Sequence, residues 1–198
     1  APPKDSDPLR ADKKEWNHLV DYAERSLKSG AAEPVVERQA PAANANLDAV
    51  MQSSKYETYA VLARRLALFK GLEPMDVATV FDSGMMIEAT PDQVLFEKGA
   101  TEKDLYVILS GEVGIRDGDR ELATLSSGEM FGEMALVSNE PRSASAVAKT
   151  SASLFVLNEE KFRILLSSKI SIRMLLNIVV TLSERLREAN RHTAPPAV

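Results

Sequence analysis

Leu105-Tyr106-Val107-Ile108-Leu109-Ser110-Gly111-Glu112-Val113-Gly114-Ile115-Arg116-Asp117-Gly118-Asp119 is the stretch from which the fold is read. Five large apolar residues run from Leu105 to Leu109, a Ser-Gly pair interrupts them, a second apolar segment covers Glu112 to Ile115, and Asp117-Gly118-Asp119 follows. Runs of four to six such residues bounded by turn residues are strands, and Asp-Gly between two of them is a hairpin signal. The same texture continues outward, with strands expected at Leu122 to Leu125, Ser143 to Ala148 and Leu154 to Leu157. Turn signals separate them at Pro91-Asp92, Lys98-Gly99 and Ser127-Gly128. Many short strands at close spacing make a sandwich or a barrel.

On both sides of this region the apolar period changes to that of a helix. Leu47 to Phe69 offers Val50, Met51, Tyr56, Tyr59, Leu62, Leu66 and Phe69 to one broad face before Gly71, and Pro74 opens a short helix through Phe81. Asn158 is a good N-cap, followed by Glu159 and Glu160 in the favourable first turn. Residues 171 to 192 form a long helix with the stripe Ile172, Leu175, Leu176, Val179, Leu182 and Leu186, and its first half is apolar elsewhere too, at Met174, Ile178 and Val180. Such a helix needs cover on more than one side, from the barrel and from a ligand or a second subunit. The expected fold is therefore mainly β with flanking helices (α+β), a barrel with N-terminal helices and a long C-terminal helix.

The first 46 residues are of a different kind. Residues 1–30 carry an amphipathic helical pattern at Leu9, Trp16, Leu19, Val20, Ala23 and Leu27, and 31–46 are an Ala/Pro-rich linker. Residues 47–198 are expected to make the main domain.

Composition narrows the function. The chain has 198 residues, 44% hydrophobic and 27% charged, with a formal charge of -5 and no cysteine. Thiol chemistry, disulfides and zinc-thiolate sites are excluded, and the acidic balance argues against a nucleic-acid partner. No apolar run reaches the roughly 20 residues of a membrane span, and Ala1-Pro2-Pro3-Lys4-Asp5 lacks a signal-peptide pattern, so no membrane insertion and a cytoplasmic location are expected. The two histidines, His18 and His192, lie in helices, where solvent-facing positions are expected rather than catalysis or metal ligation. No metal site and no catalytic residue is assigned. Arg64-Arg65-Leu66-Ala67 has the form of a kinase pseudosubstrate but sits inside a helical pattern, and Arg173, Arg185, Arg187 and Arg191, set against Glu184 and Glu188, read as a solvated helix face.

The segment with chemistry is Phe131-Gly132-Glu133-Met134-Ala135-Leu136-Val137-Ser138-Asn139-Glu140-Pro141-Arg142-Ser143-Ala144. A strand ends near Met130, Gly132 permits a tight approach, and Glu133 to Val137 has propensity for one or two helical turns. A helix start offers backbone N–H groups to an anion, and Arg142 could grip an oxyanion bidentately beside it. Glu133, an acceptor when ionised, suits a hydroxyl. Spacing alone favours a plainer reading, an ion pair of Glu133 with Arg142 on a barrel rim.

Phe131 to Ala144 closely resembles the phosphate-binding cassette of the cyclic nucleotide-binding domain family, which includes protein kinase A regulatory subunits, the catabolite activator protein and cyclic nucleotide-gated channels. Leu68-Phe69-Lys70-Gly71-Leu72, Phe96-Glu97-Lys98-Gly99-Ala100, Leu105 to Val113 and Gly128-Glu129-Met130-Phe131-Gly132-Glu133 resemble the family pattern in the family order, from about Leu66 to about Asn190. The resemblance implies a double-stranded β-helix (jelly-roll) barrel and a receptor function without turnover. It implies that Glu133 accepts from a ribose 2'-OH, that Arg142 binds the cyclic phosphate, and that N–H groups near Ala135 and Ala144 complete a cradle opened by Gly132. Met134 stands where leucine or isoleucine is usual. At Ser143 the family often has a small apolar residue with cAMP and threonine with cGMP; serine falls between and leaves the base selectivity open, with cAMP the expected ligand, cGMP the other candidate and no further cofactor. The last helix is implied to close over the purine, with Met174, Ile178 and Leu182 as lid candidates. Expected partners are the nucleotide, a downstream protein or effector domain outside this chain, and a second copy through the C-terminal helix. The alternative is an assembly module of the same fold with a non-binding pocket.

Overall fold

The computed structural model describes residues 47–166 and 169–193; the expected helix and linker of residues 1–46, with His18, lie outside them. Helix α1 spans Leu47–Arg65, a 3-10 turn Ala67–Phe69, and α2 Pro74–Ser83. Strands β1 (Met85–Ala89), β2 (Val94–Phe96), β3 (Leu105–Ser110), β4 (Val113–Asp117), β5 (Arg120–Leu125) and β6 (Met130–Phe131) lead to the short helix α3 (Glu133–Ser138). Then come β7 (Ser145–Ala148), β8 (Ala152–Leu157), α4 (Glu159–Leu166) and α5 (Ile170–Thr193).

The strands form two antiparallel four-stranded sheets, in the orders β1-β8-β3-β6 and β2-β7-β4-β5. Together with the flanking helices this is the jelly-roll architecture expected. Side-chain alternation divides the core in two. Tyr106 and Ile108 of β3, with Ala152, Leu154 and Val156 of β8, point between the sheets, where they meet Val113, Leu125, Ala146 and Ala148. Their neighbours Leu105, Val107, Leu109, Phe155 and Leu157 point outward into a second cluster with Leu62, Leu66, Leu68, Phe69, Val77, Phe81, Phe162, Met174 and Ile178 from the helices. A sheet covered on both faces needs continuous apolar strands, which is why β3 and β8 read as unbroken runs. Phe81 ties the helical layer to that sheet, 4.5 Å from Phe155 and 5.2 Å from Phe69 between ring centroids.

The hairpin lies where the sequence places it. Asp117 pairs with Arg120 across the β4–β5 ladder, and the two loop residues are Gly118, at φ 59°, and Asp119. Asn158 caps α4, its Oδ1 accepting from the Lys161 N–H at 2.9 Å.

One expectation is corrected. The helix expected to run to Phe69 stops at Arg65, because Leu66 is extended and the Ala67 N–H bonds to the Gly128 carbonyl at 2.8 Å, which docks the chain on the barrel. The structure shows which side of α5 packs on the rest of the domain: of the stripe with helical spacing, Ile172, Leu176, Val179 and Leu186 are exposed, Ile172 by 68%. The buried face is Ile170, Met174 and Ile178, with Leu182 packed against its edge. A helix apolar on two sides has two stripes of acceptable period, and periodicity cannot choose between them.

Candidate functional site

The site begins where β6 ends. Phe131 stacks on Tyr106 of β3 at 4.9 Å and 11°, and Gly132, at φ 82°, turns the chain into α3. A Cβ at Gly132 would stand 2.6 Å from the Asp104 carbonyl and 2.7 Å from Nη1 of Arg142, so the left-handed turn and the close approach both require glycine. Glu133 follows as the first helical residue and is only 2% exposed.

Arg142 enters from the far side of the cassette. Its main chain is pinned to the Gly99-Ala100 turn by two bonds, Gly99 N–H to the Arg142 carbonyl and Arg142 N–H to the Ala100 carbonyl, each 2.8 Å. Its side chain, in a residue 3% exposed, donates from Nη1 to the Gly132 carbonyl at 2.9 Å and from Nη2 to the Asp104 carbonyl at 2.8 Å. The guanidinium lies 4.0 Å from the Phe96 ring centroid and 5.8 Å from that of Tyr106. Nε is buried with no hydrogen-bond partner. Burial pulls the Arg142 pKa below the usual arginine value, and the nearby Tyr106, Asp104, Glu102 and Glu133 offset only part of this. Burial raises the Asp104 carboxyl, against the pull of Arg142, and also raises the Tyr106 hydroxyl.

The ion pair of Glu133 with Arg142 favoured by spacing is absent. Glu133 instead accepts at Oε1 from Nη1 of Arg185, a residue of α5, at 2.7 Å, and Arg185 also donates from Nη2 to the Met130 carbonyl. Arg185 therefore does not belong to a solvated face.

All seven residues singled out from the sequence, Gly132, Glu133, Met134, Ala135, Arg142, Ser143 and Ala144, line one half-open cleft. Phe96, Ile115, Phe131 and Arg185 complete its wall. Ile115 was legible only as a member of a short strand and Phe96 only as part of the family resemblance, while Arg185 gave no signal apart from its charge. The lid candidates stand elsewhere. Met174 and Ile178 are buried in the helical cluster and Leu182 packs against it, so none of the three lines the cleft.

Residues 86–169 match the family described as the cyclic nucleotide-binding domain. This segment belongs to that family. The domain is 32% identical over 106 residues to the cAMP-dependent protein kinase type II regulatory subunit of Drosophila melanogaster, covering 53% of this chain and 28% of that one. It is 31% identical over 137 residues to the cAMP-dependent protein kinase regulatory subunit of Candida albicans, covering 69% of this chain and 30% of that one. The chain thus spans less than a third of these relatives. Among solved structures the cyclic nucleotide-binding domain resembles the Thermus thermophilus catabolite activator protein, with a TM-score of 0.57 and 33% identity over 64% of this chain and 61% of that one. No single described helix is long and apolar enough to cross a membrane.

Proposed function

We infer that this domain is a non-catalytic receptor for a cyclic mononucleotide, cAMP first and cGMP second, and that α5 carries the signal of occupancy. The observation that carries the reading is the state of Arg142. It is a buried cation whose two hydrogen bonds go to carbonyls, which solvate charge without neutralising it, and no carboxylate pairs with it among the described residues. Its buried Nε has no acceptor. Buried charge held this way is costly until an anion arrives, and a guanidinium with unspent donors in one plane suits a phosphate. Glu133, whose Oε1 alone is engaged by Arg185, suits the ribose 2'-OH. Small residues at Ala135 and Ala144 leave the cradle backbone approachable, and Met134 and Ser143 border the space left for the base. The names of the relatives above add support for cAMP. The partner that receives the signal is a protein or effector domain outside this chain.

Calorimetric titration with cAMP and cGMP side by side tests both parts of the ligand claim. The expected result is saturable binding of one nucleotide per domain, tighter for cAMP; absence of binding by both overturns it. For the output, hydrogen exchange should show protection by cAMP in residues 132–145 and in α5, and protection confined to the cassette removes α5 from the mechanism.

One observation favours a second reading, assembly through α5. Ile172, Leu176, Val179 and Leu186 leave an apolar stripe exposed along that helix. Sedimentation of the protein with and without cAMP separates the two: an assembly module is a dimer in both conditions and takes up no nucleotide.

A further inference from the structure

With seven methionines and no cysteine in the sequence, sulfur redox chemistry on this chain falls to the thioether. A thioether is oxidised where an oxidant can reach its sulfur. Met130 and Met174 are buried in the core, whereas Met75, Met85 and Met134 are exposed, Met134 by 51%. Met75 and Met85 stand on α2 and β1, outside the cleft, while Met134, in the first turn of α3, forms part of its wall. The sulfur of Met134 already has a polar neighbour, since Ser143 Oγ donates to Met134 Sδ at 3.8 Å. That contact links α3 to the stretch leading into β7, two parts of the same cleft wall. A thioether is a weak acceptor, so the serine hydroxyl is loosely held and can turn to a ligand.

We propose that Met134 is an oxidative modification site, through which hydrogen peroxide lowers the affinity of the cleft for its nucleotide. This rests on the reading of the cleft as a cyclic nucleotide site. A lone pair of the sulfur attacks one peroxide oxygen, and the S–O bond forms as the O–O bond breaks. Sulfur is oxidised and the peroxide reduced; the departing hydroxide takes the proton of the transferred oxygen and leaves as water. The product, methionine sulfoxide, is a polar, chiral side chain in place of an apolar one. Its oxygen is a better acceptor than the thioether, and the flexible, unbranched side chain can turn that oxygen to the Ser143 hydroxyl. The serine donor is then withdrawn from the ligand and tied to α3. A nucleotide laid over the sulfoxide must also bury a dipole, which costs affinity. The relation runs both ways, since a nucleotide that covers Met134 shields its sulfur from the peroxide. Methionine sulfoxide reductases, one for each epimer, return the thioether, so the loss is reversible.

The test is to titrate the protein with cAMP before and after hydrogen peroxide has converted Met134, with oxidation followed residue by residue by peptide mass spectrometry. Affinity is expected to fall by about fivefold or more on oxidation and to return after treatment with the two reductases. Met134→Leu, compared with itself before and after peroxide, should change by less than about twofold although Met75 and Met85 are oxidised in it. Saturating cAMP present during the exposure should slow oxidation of Met134 by about fivefold and leave the rates at Met75 and Met85 unchanged. Unaltered affinity with Met134 fully oxidised overturns the proposal, as does an equal loss in Met134→Leu or a Met134 rate that cAMP does not slow. A wild type that binds no cAMP before oxidation fails at an earlier point: the cleft reading is then wrong, and the proposal falls with it. If Met134→Leu does not fold, the reductase and protection measurements on the wild type carry the test.

Discussion

The guanidinium of Arg142 lies 4.0 Å from the ring centroid of Phe96, a residue of β2, while its outer nitrogens are held by the Gly132 and Asp104 carbonyls. The aromatic face and the carbonyls orient the cation without using it up. Phe96→Leu keeps the apolar cover and removes the cation–π contact, for which an estimate at a desolvated site is about 2 kcal/mol. The expected outcome is cAMP affinity lowered by about three- to thirtyfold with little change in the folded structure, measured by calorimetry and thermal melting.

Glu133 gives a prediction of a different form. 2'-Deoxy-cAMP should bind the wild type more weakly than cAMP, since a buried acceptor left without its donor costs about 1–3 kcal/mol. In Glu133→Ala that penalty vanishes with the carboxylate, and the two nucleotides should bind alike. Titration of both proteins with both ligands closes the cycle, and equal discrimination by the two proteins refutes the sugar contact.

Asn177 anchors α5 to the N-terminal layer. Its Nδ2 donates to the Leu68 carbonyl at 2.8 Å and to the Lys70 carbonyl at 3.0 Å, satisfying the end of the 3-10 turn. Asn177→Ala strands those carbonyls, at a cost of about 1–3 kcal/mol. Chemical denaturation should register the loss, and hydrogen exchange should place the increased opening in α5 and residues 66–72.

Tyr59 supplies the pH dependence. Burial, helped by Asp82, pushes its hydroxyl from 10.0 up to about 12. The folded state keeps its proton to higher pH than the unfolded chain, so the unfolded state binds fewer protons between these values and stability falls as pH rises through them. Below pH 10.0 the effect is absent. Denaturation midpoints followed from pH 9 to about pH 12 should decline less steeply in Tyr59→Phe than in the wild type. Equal slopes would show that another group dominates the alkaline limb.

Much of the barrel was legible because β3 and β8 combine turn residues at their ends with apolar runs that one buried face cannot explain. The cassette was legible through Gly132, Glu133 and Arg142, whose residue types are forced by a positive φ, a buried acceptor and a buried cation. What periodicity could not supply was the orientation of α5, which has two apolar sides, and hence the role of Arg185. Nor could it supply the end of α1, which is set by a bond from Ala67 to Gly128, far away in the chain. Nor could spacing supply the side-chain partner of Glu133: it brings Arg142 near, but contacts made across the fold decide which arginine it meets.

The central claim is that Arg142 is a buried cation awaiting a phosphate, and titration of wild type and Arg142→Ala with cAMP tests it most directly. The account predicts saturable binding by the wild type and an affinity lower by about 30-fold or more in the variant, the cost of stranding a desolvated phosphate being roughly 2–5 kcal/mol. Equal affinity in the two proteins would contradict it.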